Sequence, residues 1–342
     1  MAKVAICGDI HLGIRKNSEI MLESQLRFFN NQMFPYLREH DIKNIVVLGD
    51  VFDTRPAINT KIYNEAYDLF NNDFQYTVLV GNHDCYGNSN LKIHSLKILR
   101  KFSNVTVIES MRDIPLFDRR VLFVPWIFDN EKFLEDMNKS TAEVCFGHFD
   151  VATFSMGGKL SESSLTIQDF SKFKKVFSGH FHTPQVKTFG KTEFVYCGSI
   201  AQYDWGEVGQ KKGFYIFDTE TLEYEFIENT VSAKHIKIFY GDEIDPSVLS
   251  NNFVKVFIKE SETSDDKKFD EFTKKITDSG SASIATCIVK EETELDNTIE
   301  ISEKGQTLLE LINEYVALQE KIENKEIIIS LLSTIYTESL RE

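Results

Sequence analysis

Short apolar runs recur through the first half of the chain and predict buried strands. The central run, Ile45–Leu48, is apolar and mostly β-branched, and Gly49 and Asp50 follow it. Four further runs share this order of apolar strand, glycine and then Asp, Asn or His; they end at Gly8, Gly81, Gly147 and Gly179. Sites in layered α/β proteins lie at the carboxyl ends of strands, where glycine lets the backbone turn sharply. The pattern therefore predicts one site built from five strand ends.

The segments between these strands have the three- and four-residue apolar spacing of helices. We expect helices at Ser18–Arg38, Thr60–Phe70 and Asn90–Lys101. Strands dominate the next part, at Val105–Ile108, Val121–Val124, Glu143–Phe146, Lys174–Phe177, Phe194–Cys197, Gly213–Asp218 and Leu222–Glu228. This order predicts an α/β fold (α+β layered), in which a sheet core is flanked by helices.

A second unit is expected to begin near Val231. Phe253–Lys259 and Ser283–Lys290 are predicted strands, and Asp266–Thr277 between them has one apolar helical face, which indicates a small β-α-β cap. The acidic, polar stretch that follows is typical of a linker. The predicted organisation is a main domain at 1–230, a cap domain at 231–292, an acidic linker at 293–305 and a helical tail at 306–342.

The tail is predicted to contain two helices with apolar positions in a seven-residue repeat. Those positions are Leu311, Tyr315, Leu318 and Ile322 in the first helix, and Ile328, Leu331, Leu332 and Ile335 in the second. Such stripes are buried either against the chain's own domain or against the helices of a partner. Because the linker leaves little of the chain's own core within reach, we expect a partner.

Composition limits the classes of function. The chain has 342 residues, of which 42% are hydrophobic and 27% charged, as in a globular protein with a sizeable core. No apolar run approaches the roughly 20 residues of a membrane span, and no secretory signal is visible. Five cysteines without C-x-x-C spacing predict reduced, mostly buried thiols. We therefore expect a cytoplasmic protein.

The formal net charge of −15 argues against a protein that holds nucleic acid by charge alone. It does not exclude an enzyme acting on nucleic acid, because divalent metals bring positive charge to a site and a partner protein can supply more. The lysines at 172, 174 and 175 and at 211 and 212 are candidates for phosphate contact, or else ordinary solvated surface.

The strand ends supply the ligand types of a metal site. The candidate ligands are Asp9, His11, Asp50, Asn82, His148, His180 and His182. A set without cysteine suits manganese best, with magnesium, iron and zinc as alternatives. Seven ligands are too many for one ion and suit two ions about 4 Å apart, which clamp a phosphoryl group. We expect Asp50, in the central strand, to bridge the two, and the substrate to be a phosphate ester.

His83 directly follows Asn82 and is expected to point into the site without binding metal. It could stabilise the oxygens of the transition state or protonate the leaving alcohol, and Asp84 could hold its tautomer. The alternative is a histidine that is satisfied within the turn.

The ordered set D-x-H, G-D, G-N-H-D, G-H and G-H-x-H resembles the calcineurin-like metallophosphoesterase superfamily. Within that superfamily, four segments look like the SbcD-type nucleases, known in eukaryotes as meiotic recombination protein eleven: Gly179–Gln185, Gly198–Ile200, Gly206–Glu207 and Lys212–Gly213. The compact size resembles the recombination endonuclease subunits of T-even-like phages. The resemblance implies a metallophosphoesterase β-sandwich core, a cap that positions DNA ends, and a C-terminal helical pair.

The resemblance also implies residue roles and partners. One metal would be held by Asp9, His11, Asp50 and His182, the other by Asp50, Asn82, His148 and His180, and His83 would be catalytic. The family uses manganese and cuts DNA as an exonuclease and endonuclease in recombination, repair and replication. It forms homodimers and works with an SbcC-type coiled-coil ATPase bound through the helical tail. One position departs from the pattern, since Asp53 stands where many members have histidine.

Two other functions fit parts of the pattern. A protein phosphatase or small-substrate phosphodiesterase would use the same metals, but the D-T-R turn at residues 53–55 does not match the D-R-G usual in phosphatases. A non-catalytic scaffold would be expected to have lost ligands, and none is lost here.

Overall fold

Two six-stranded sheets form the centre of the computed structural model. The strands of the first are β1 (Lys3–Cys7), β2 (Asn44–Val47), β3 (Gln75–Leu79), β4 (Val105–Ile108), β13 (Gly213–Asp218) and β14 (Tyr224–Glu228). Those of the second are β5 (Arg112–Leu116), β6 (Arg119–Val124), β7 (Val144–His148), β10 (Lys175–Gly179), β11 (Gln185–Phe189) and β12 (Thr192–Tyr196). The first sheet has the order β14-β13-β1-β2-β3-β4 and the second the order β11-β12-β10-β7-β6-β5. A short hairpin, β8 (Ser155–Met156) and β9 (Lys159–Leu160), lies between β7 and β10 along the chain.

The structure describes residues 2–87, 90–117, 119–157, 159–259, 261, 266–289, 325 and 328. Residues 1–290 form one compact unit and 291–342 form a second. The predicted linker and nearly all of the predicted helical tail therefore lie outside the described residues. Among the described residues, no helix combines the length and apolar character needed to cross a membrane.

The two sheets bury their inner faces against each other. Val4, Ile6 and Val46 of the first sheet belong to the same buried cluster as Phe146 and Phe177 of the second. Strands at the centre of each sheet are apolar on both faces because helices cover the outer sides, as parallel sheets require. The predicted layered fold with a β-sandwich core is confirmed.

Helices cover the outer face of each sheet. The first sheet is covered by Glu19–Phe28, a π-helical turn at Phe29–Met33, Phe34–Glu39 and Thr60–Phe70. The second is covered by Asn130–Met137 and the 3₁₀ turn Ile167–Phe170. Ser18 and Asn59 begin two of these helices by accepting hydrogen bonds from Met21 N and Lys61 N.

One predicted helix is only half correct. A 3₁₀ helix spans Ser95–Lys101, but the predicted first turn is not helical because Cys85 and His94 form a β-bridge. Several strands were missed, including β5 and β11, because these edge strands are half exposed and lack a continuous apolar run.

Residues 235–289 contain a small parallel sheet of β15 (His235–Phe239), β16 (Phe253–Lys259) and β17 (Ser283–Val289). The helices Pro246–Leu249 and Asp266–Asp278 pack on one face of it, around Val254, Val256 and Ile276. The β-α-β pattern is as predicted, with β15 as an additional strand. We call the three strands the cap sheet.

His235 joins the cap sheet to the main sheets. Its ring stacks on Phe253 at 4.9 Å between centroids and meets Trp205 edge-on at 4.7 Å. Its backbone N–H donates to Gln202 Oε1 at 2.8 Å. The side chain is buried, and burial together with Arg15 lowers the pKa of His235 to about 4.

This histidine should make folding sensitive to acid. Because its folded pKa lies below the unfolded value of about 6.5, its neutral form stabilises the fold at neutral pH, and that stability is lost as the pH falls from about 6.5 towards 4. His235→Phe keeps the stacking on Phe253 but has no titrating ring. Between pH 7.5 and pH 4.5 its free energy of unfolding should therefore fall by about 2–3 kcal/mol less than that of the wild type. Urea unfolding at pH 7.5 and pH 4.5 in chelator measures it. His40→Phe, at an exposed position, is the control, and an equal pH dependence in wild type and His235→Phe would contradict the assignment.

Candidate metal centre

The carboxyl ends of β1, β2, β3, β7 and β10 bring the predicted residues to one place. Parallel pairing aligns β1 with β2 and β2 with β3 in the first sheet, and β7 with β10 in the second. Asp9, His11, Asp50 and His180 all have positive φ angles, of 50°, 50°, 52° and 89°. Residues other than glycine rarely adopt this backbone conformation. Such strain persists only where the surrounding structure enforces it, and it is common at functional sites.

Glycine is required beside Asp50 on two counts. Gly49 has a φ of +96°, in the left-handed region. A Cβ at Gly81 would collide with the carboxylate of Asp50. The glycines of the sequence pattern thus create the space in which the polar side chains converge.

Asp9, His11 and His182 form the first cluster of donor atoms. The Nε2 atoms of His11 and His182 lie 3.0 Å apart. Asp9 Oδ1 accepts a hydrogen bond from His180 N at 2.8 Å, but the buried Asp9 Oδ2 has no hydrogen-bond partner among the described residues. A buried carboxylate oxygen without a donor is costly unless a cation neutralises it.

Asn82, His148 and His180 form the second cluster. Asn82 Oδ1 lies 2.9 Å from His148 Nε2 and 3.0 Å from His180 Nδ1. Three atoms that can ligate a metal therefore converge within hydrogen-bond distance. His180 is deeply buried, and burial with the neighbouring His148 lowers its pKa to about 3, so the ring is neutral as a metal ligand must be.

Asp50 lies between the two clusters. Its Oδ2 is 3.6 Å from His11 Nε2 and 3.4 Å from His148 Nε2, while its Oδ1 accepts from His83 N at 2.8 Å. Burial alone would raise the pKa of Asp50, but His148, His11 and His83 hold it well below its usual value. Burial likewise opposes protonation of His148, yet Asp50 raises the pKa of His148 to about 9.

The donor set fits divalent metal ions. Carboxylate, amide and imidazole groups converge there, without cysteine. The donor atoms of Asp9, His11 and His182 all lie within 4.8 Å of one another, and so do those of Asp50, His148 and His180. A third group, His11, Asp53 and His83, meets the same limit. His11 Nδ1 is 3.2 Å from Asp53 Oδ1, without the geometry of a hydrogen bond.

Two histidines are oriented by groups behind them. His148 Nδ1 lies 2.6 Å from the carbonyl of Leu48, and His182 Nδ1 lies 3.3 Å from Glu207 Oε1. In both, the Nδ1 proton points away from the cluster and leaves Nε2 as the ligand atom, an arrangement common around metals.

Glu207 is the main residue that sequence reasoning missed. It is buried, accepts from Tyr203 N at 2.6 Å, and lies 3.3 Å from the ammonium of buried Lys212. Burial works against ionisation, but the bond to His182 and the charge of Lys212 lower the pKa of Glu207 to about 2. Lys212 also donates to the carbonyl of His182 at 2.6 Å.

The lysines considered for phosphate contact have partners within the protein. Lys212 supports Glu207, and Lys172 donates to the carbonyls of Met137 and Ser140. The remaining three form ion pairs: Lys174 with Glu143, Lys175 with Glu193, and Lys211 with Glu228. These contacts give each lysine a partner within the protein, and contact of any of them with phosphate stays a prediction.

The suggested role of Asp84 is wrong. Its Oδ2 accepts from Asp50 N and Gly81 N, both at 2.9 Å, so Asp84 holds the turn that presents Asp50. His83 Nδ1 is held instead by the carbonyl of Asp53, at 2.8 Å. His83, His180 and His182 line a cavity of about 750 Å³ at the cluster edge.

Glu207→Gln should weaken metal binding. Loss of the carboxylate behind His182 is expected to lower the affinity of the Asp9–His11–His182 cluster for Mn²⁺ by about 10- to 100-fold. Titration of the metal-free protein with Mn²⁺, followed by electron paramagnetic resonance, measures it. Glu228→Gln, which removes only the surface pair with Lys211, is the control. Equal affinities in the wild type and Glu207→Gln would show that Glu207 does not orient the ligand.

The chain is similar in sequence to known proteins. The sequence model of the family described as "Calcineurin-like phosphoesterase" matches residues 2–184. "Exonuclease subunit 1" of Enterobacteria phage T4 is 26% identical over 351 residues, which cover 98% of this chain and 99% of that protein. The SbcD component of the nuclease SbcCD of Staphylococcus epidermidis is 25% identical over 283 residues, covering 71% of this chain and 73% of that protein. With the family model matching more than half its length, the chain belongs to the calcineurin-like phosphoesterase family.

Proposed function

We propose that the protein is a two-metal DNA nuclease, an exonuclease and endonuclease that hydrolyses phosphodiester bonds at double-strand ends. The observation that supports this most is the pair of donor clusters on either side of Asp50, beside a cavity of about 750 Å³. Two relatives that carry nuclease names, one of them similar over nearly the full length of the chain, favour DNA as the substrate.

We propose that both ions are Mn²⁺, because manganese suits mixed carboxylate and imidazole ligands. One would be held by Asp9, His11, Asp50 and His182, and the other by Asp50, Asn82, His148 and His180. Bound ions of this kind clamp the phosphoryl group and lower the pKa of a water molecule so that it can attack. The protein's part is to position these side chains: Asp84 holds the turn of Asp50, Glu207 orients His182, and the carbonyl of Leu48 orients His148.

His83 is the proposed acid for the leaving oxygen. Its Nδ1 is held by the carbonyl of Asp53, which leaves Nε2 for the substrate. Burial lowers the pKa of His83 against the effect of Asp50, so fewer rings are protonated at neutral pH but each protonated ring is a stronger acid. In the proposed step, protonated His83 transfers its Nε2 proton to the alkoxide as the bond to phosphorus breaks.

The test is hydrolysis by the purified chain of linear double-stranded DNA, with manganese, with magnesium and with chelator. A small diester and a phosphomonoester are assayed in parallel. Manganese-dependent DNA cutting is the expected result. Hydrolysis of the small substrates without DNA cutting would instead identify a phosphatase or small-substrate phosphodiesterase. Two bound metals without any hydrolysis, even with the ATPase added, would identify a scaffold.

A partner completes the proposal. We place the protein in DNA recombination, repair and replication together with an SbcC-type coiled-coil ATPase, which docks on the apolar stripes of the helical tail. The relative that is named as one component of SbcCD supports such a partnership.

Removal of residues 306–342 should abolish binding of this ATPase and spare metal binding. Co-sedimentation with the ATPase and a Mn²⁺ titration measure the two properties separately. Leu318→Asp in the full-length chain is the companion variant, and it should weaken the same interaction. A shortened chain that still binds the ATPase would contradict the docking role of the tail.

A homodimer is also part of the proposal. Tyr63 and Tyr67 are 40% and 47% exposed. With Ile98 and Phe102 they line an apolar groove of about 500 Å³ on the outer side of the first sheet. Apolar surfaces of this kind commonly mark contacts between proteins. Sedimentation velocity of the wild type and of Tyr67→Glu tests whether this surface carries the dimer.

A further inference from the structure

Within the part of the chain that the structure describes, helices cover one face of the cap sheet and leave the other face open. Alternate residues along each strand point to opposite faces, and the helices cover the face of Val254 and Val256. The strand register places Lys237, Lys255 and Ala285 in one row across the open face, and Phe239, Phe257 and Cys287 in the next.

This face combines aromatic and basic side chains. Phe239 is 62% exposed, and its ring lies 5.6 Å from that of Phe257. Lys237 precedes it on the same face and is exposed. None of the positions in the two rows is acidic, although the chain as a whole carries a net charge of −15. The face is therefore suited to an anionic ligand that also offers flat apolar groups.

The open face leads towards the candidate metal centre. Lys255 Nζ lies 4.3 Å from the centre of the Trp205 ring. Trp205 belongs to the turn Trp205–Glu207, and both Gly206 and Glu207 line the cavity beside the clusters. Aromatic and basic groups thus extend from Phe239 through Lys255 and Trp205 to the rim of that cavity.

We propose that the open face of the cap sheet binds single-stranded DNA, with Phe239 stacking on a base and Lys237 contacting the phosphates. This rests on the proposed function, and specifies how a strand is held outside the metal cavity. A single strand is favoured over a duplex because bases already stacked in a duplex leave no free face for an aromatic ring on a flat sheet.

The test uses the full-length protein in chelator, so that DNA is bound but not cut. Fluorescence anisotropy measures the Kd for a labelled oligothymidylate of about 16 nucleotides. We expect Phe239→Ala to raise this Kd about 5- to 100-fold without changing its salt dependence. We expect Lys237→Ala to reduce the slope of log Kd against log salt by about 0.7. The Phe239 effect should disappear with an abasic oligonucleotide and with duplex DNA.

The control is a double variant, Val248→Ala with Lys274→Ala. It removes one exposed apolar and one exposed basic side chain from the helical side of the same cap, and should bind as the wild type does. Unchanged binding by Phe239→Ala, or an equal loss for abasic and normal strands, overturns the proposal. A changed oligomeric state with unchanged DNA binding also overturns it, and assigns the face to a second copy of the chain.

The same preparations, assayed for cutting with manganese, separate this proposal from the proposed function. Wild-type cutting together with unaltered binding by Phe239→Ala overturns the binding face and leaves the nuclease. If Phe239→Ala binds DNA more weakly while the wild-type chain cuts no DNA, the binding face is supported and the nuclease is overturned.

Discussion

Asp50→Asn is expected to lower the rate of metal-dependent phosphodiester hydrolysis at least about a thousandfold. The loss should exceed that caused by removing one hydrogen-bond donor that stabilises a transition state. Asp50 Oδ2 lies within 3.6 Å of a histidine from each cluster, so one substitution removes the charge that both proposed ions would share. Asparagine keeps the shape of the side chain and an oxygen to accept from His83 N. The fold should therefore survive.

Hydrolysis of a small diester with Mn²⁺, the number of bound metals and the circular dichroism spectrum together measure this prediction. We expect fewer than two bound ions and an unchanged spectrum. Asp68→Asn, on an exposed position of Thr60–Phe70, is the matched control. Full activity of Asp50→Asn would show that Asp50 is not the shared ligand.

His83→Ala should lower kcat by about 10²- to 10⁴-fold, the usual contribution of a positioned acid or base. It should leave metal binding intact, because His83 Nδ1 is held by the carbonyl of Asp53 and Nε2 is the nitrogen left for the substrate. If His83 protonates the leaving oxygen, the loss should be large for DNA, whose leaving group is an alkoxide. It should be small for bis(4-nitrophenyl) phosphate, whose leaving group needs no proton.

Comparison of the two substrates decides between the two roles considered for His83. Equal losses on DNA and on the nitrophenyl diester would favour stabilisation of the transition state over proton transfer. Loss of bound metal in His83→Ala would instead indicate a ligand, as the proximity of His83 to His11 and Asp53 also allows. His40→Ala, at an exposed histidine, is the control.

The fold could be predicted from the sequence where the signal is local. Apolar runs ending in glycine identified the five strands that carry the candidate ligands, and Thr60–Phe70 was predicted to the residue because its apolar face has helical spacing. The prediction failed at Asn90–Lys101, where a bridge between Cys85 and His94 replaces the first turn. Tertiary pairing overrides local propensity there.

The sequence by itself determined which side chains meet, because a strand followed by glycine and a polar residue is written in consecutive positions, and parallel pairing brings such ends to one edge. Their role as ligands stays a prediction. Only the tertiary structure decided which nitrogen of each histidine faces the cluster. Leu48 orients His148 from 100 positions away, and Glu207 orients His182 from a separate turn. Those contacts depend on how the two sheets and their loops pack, which no local pattern records.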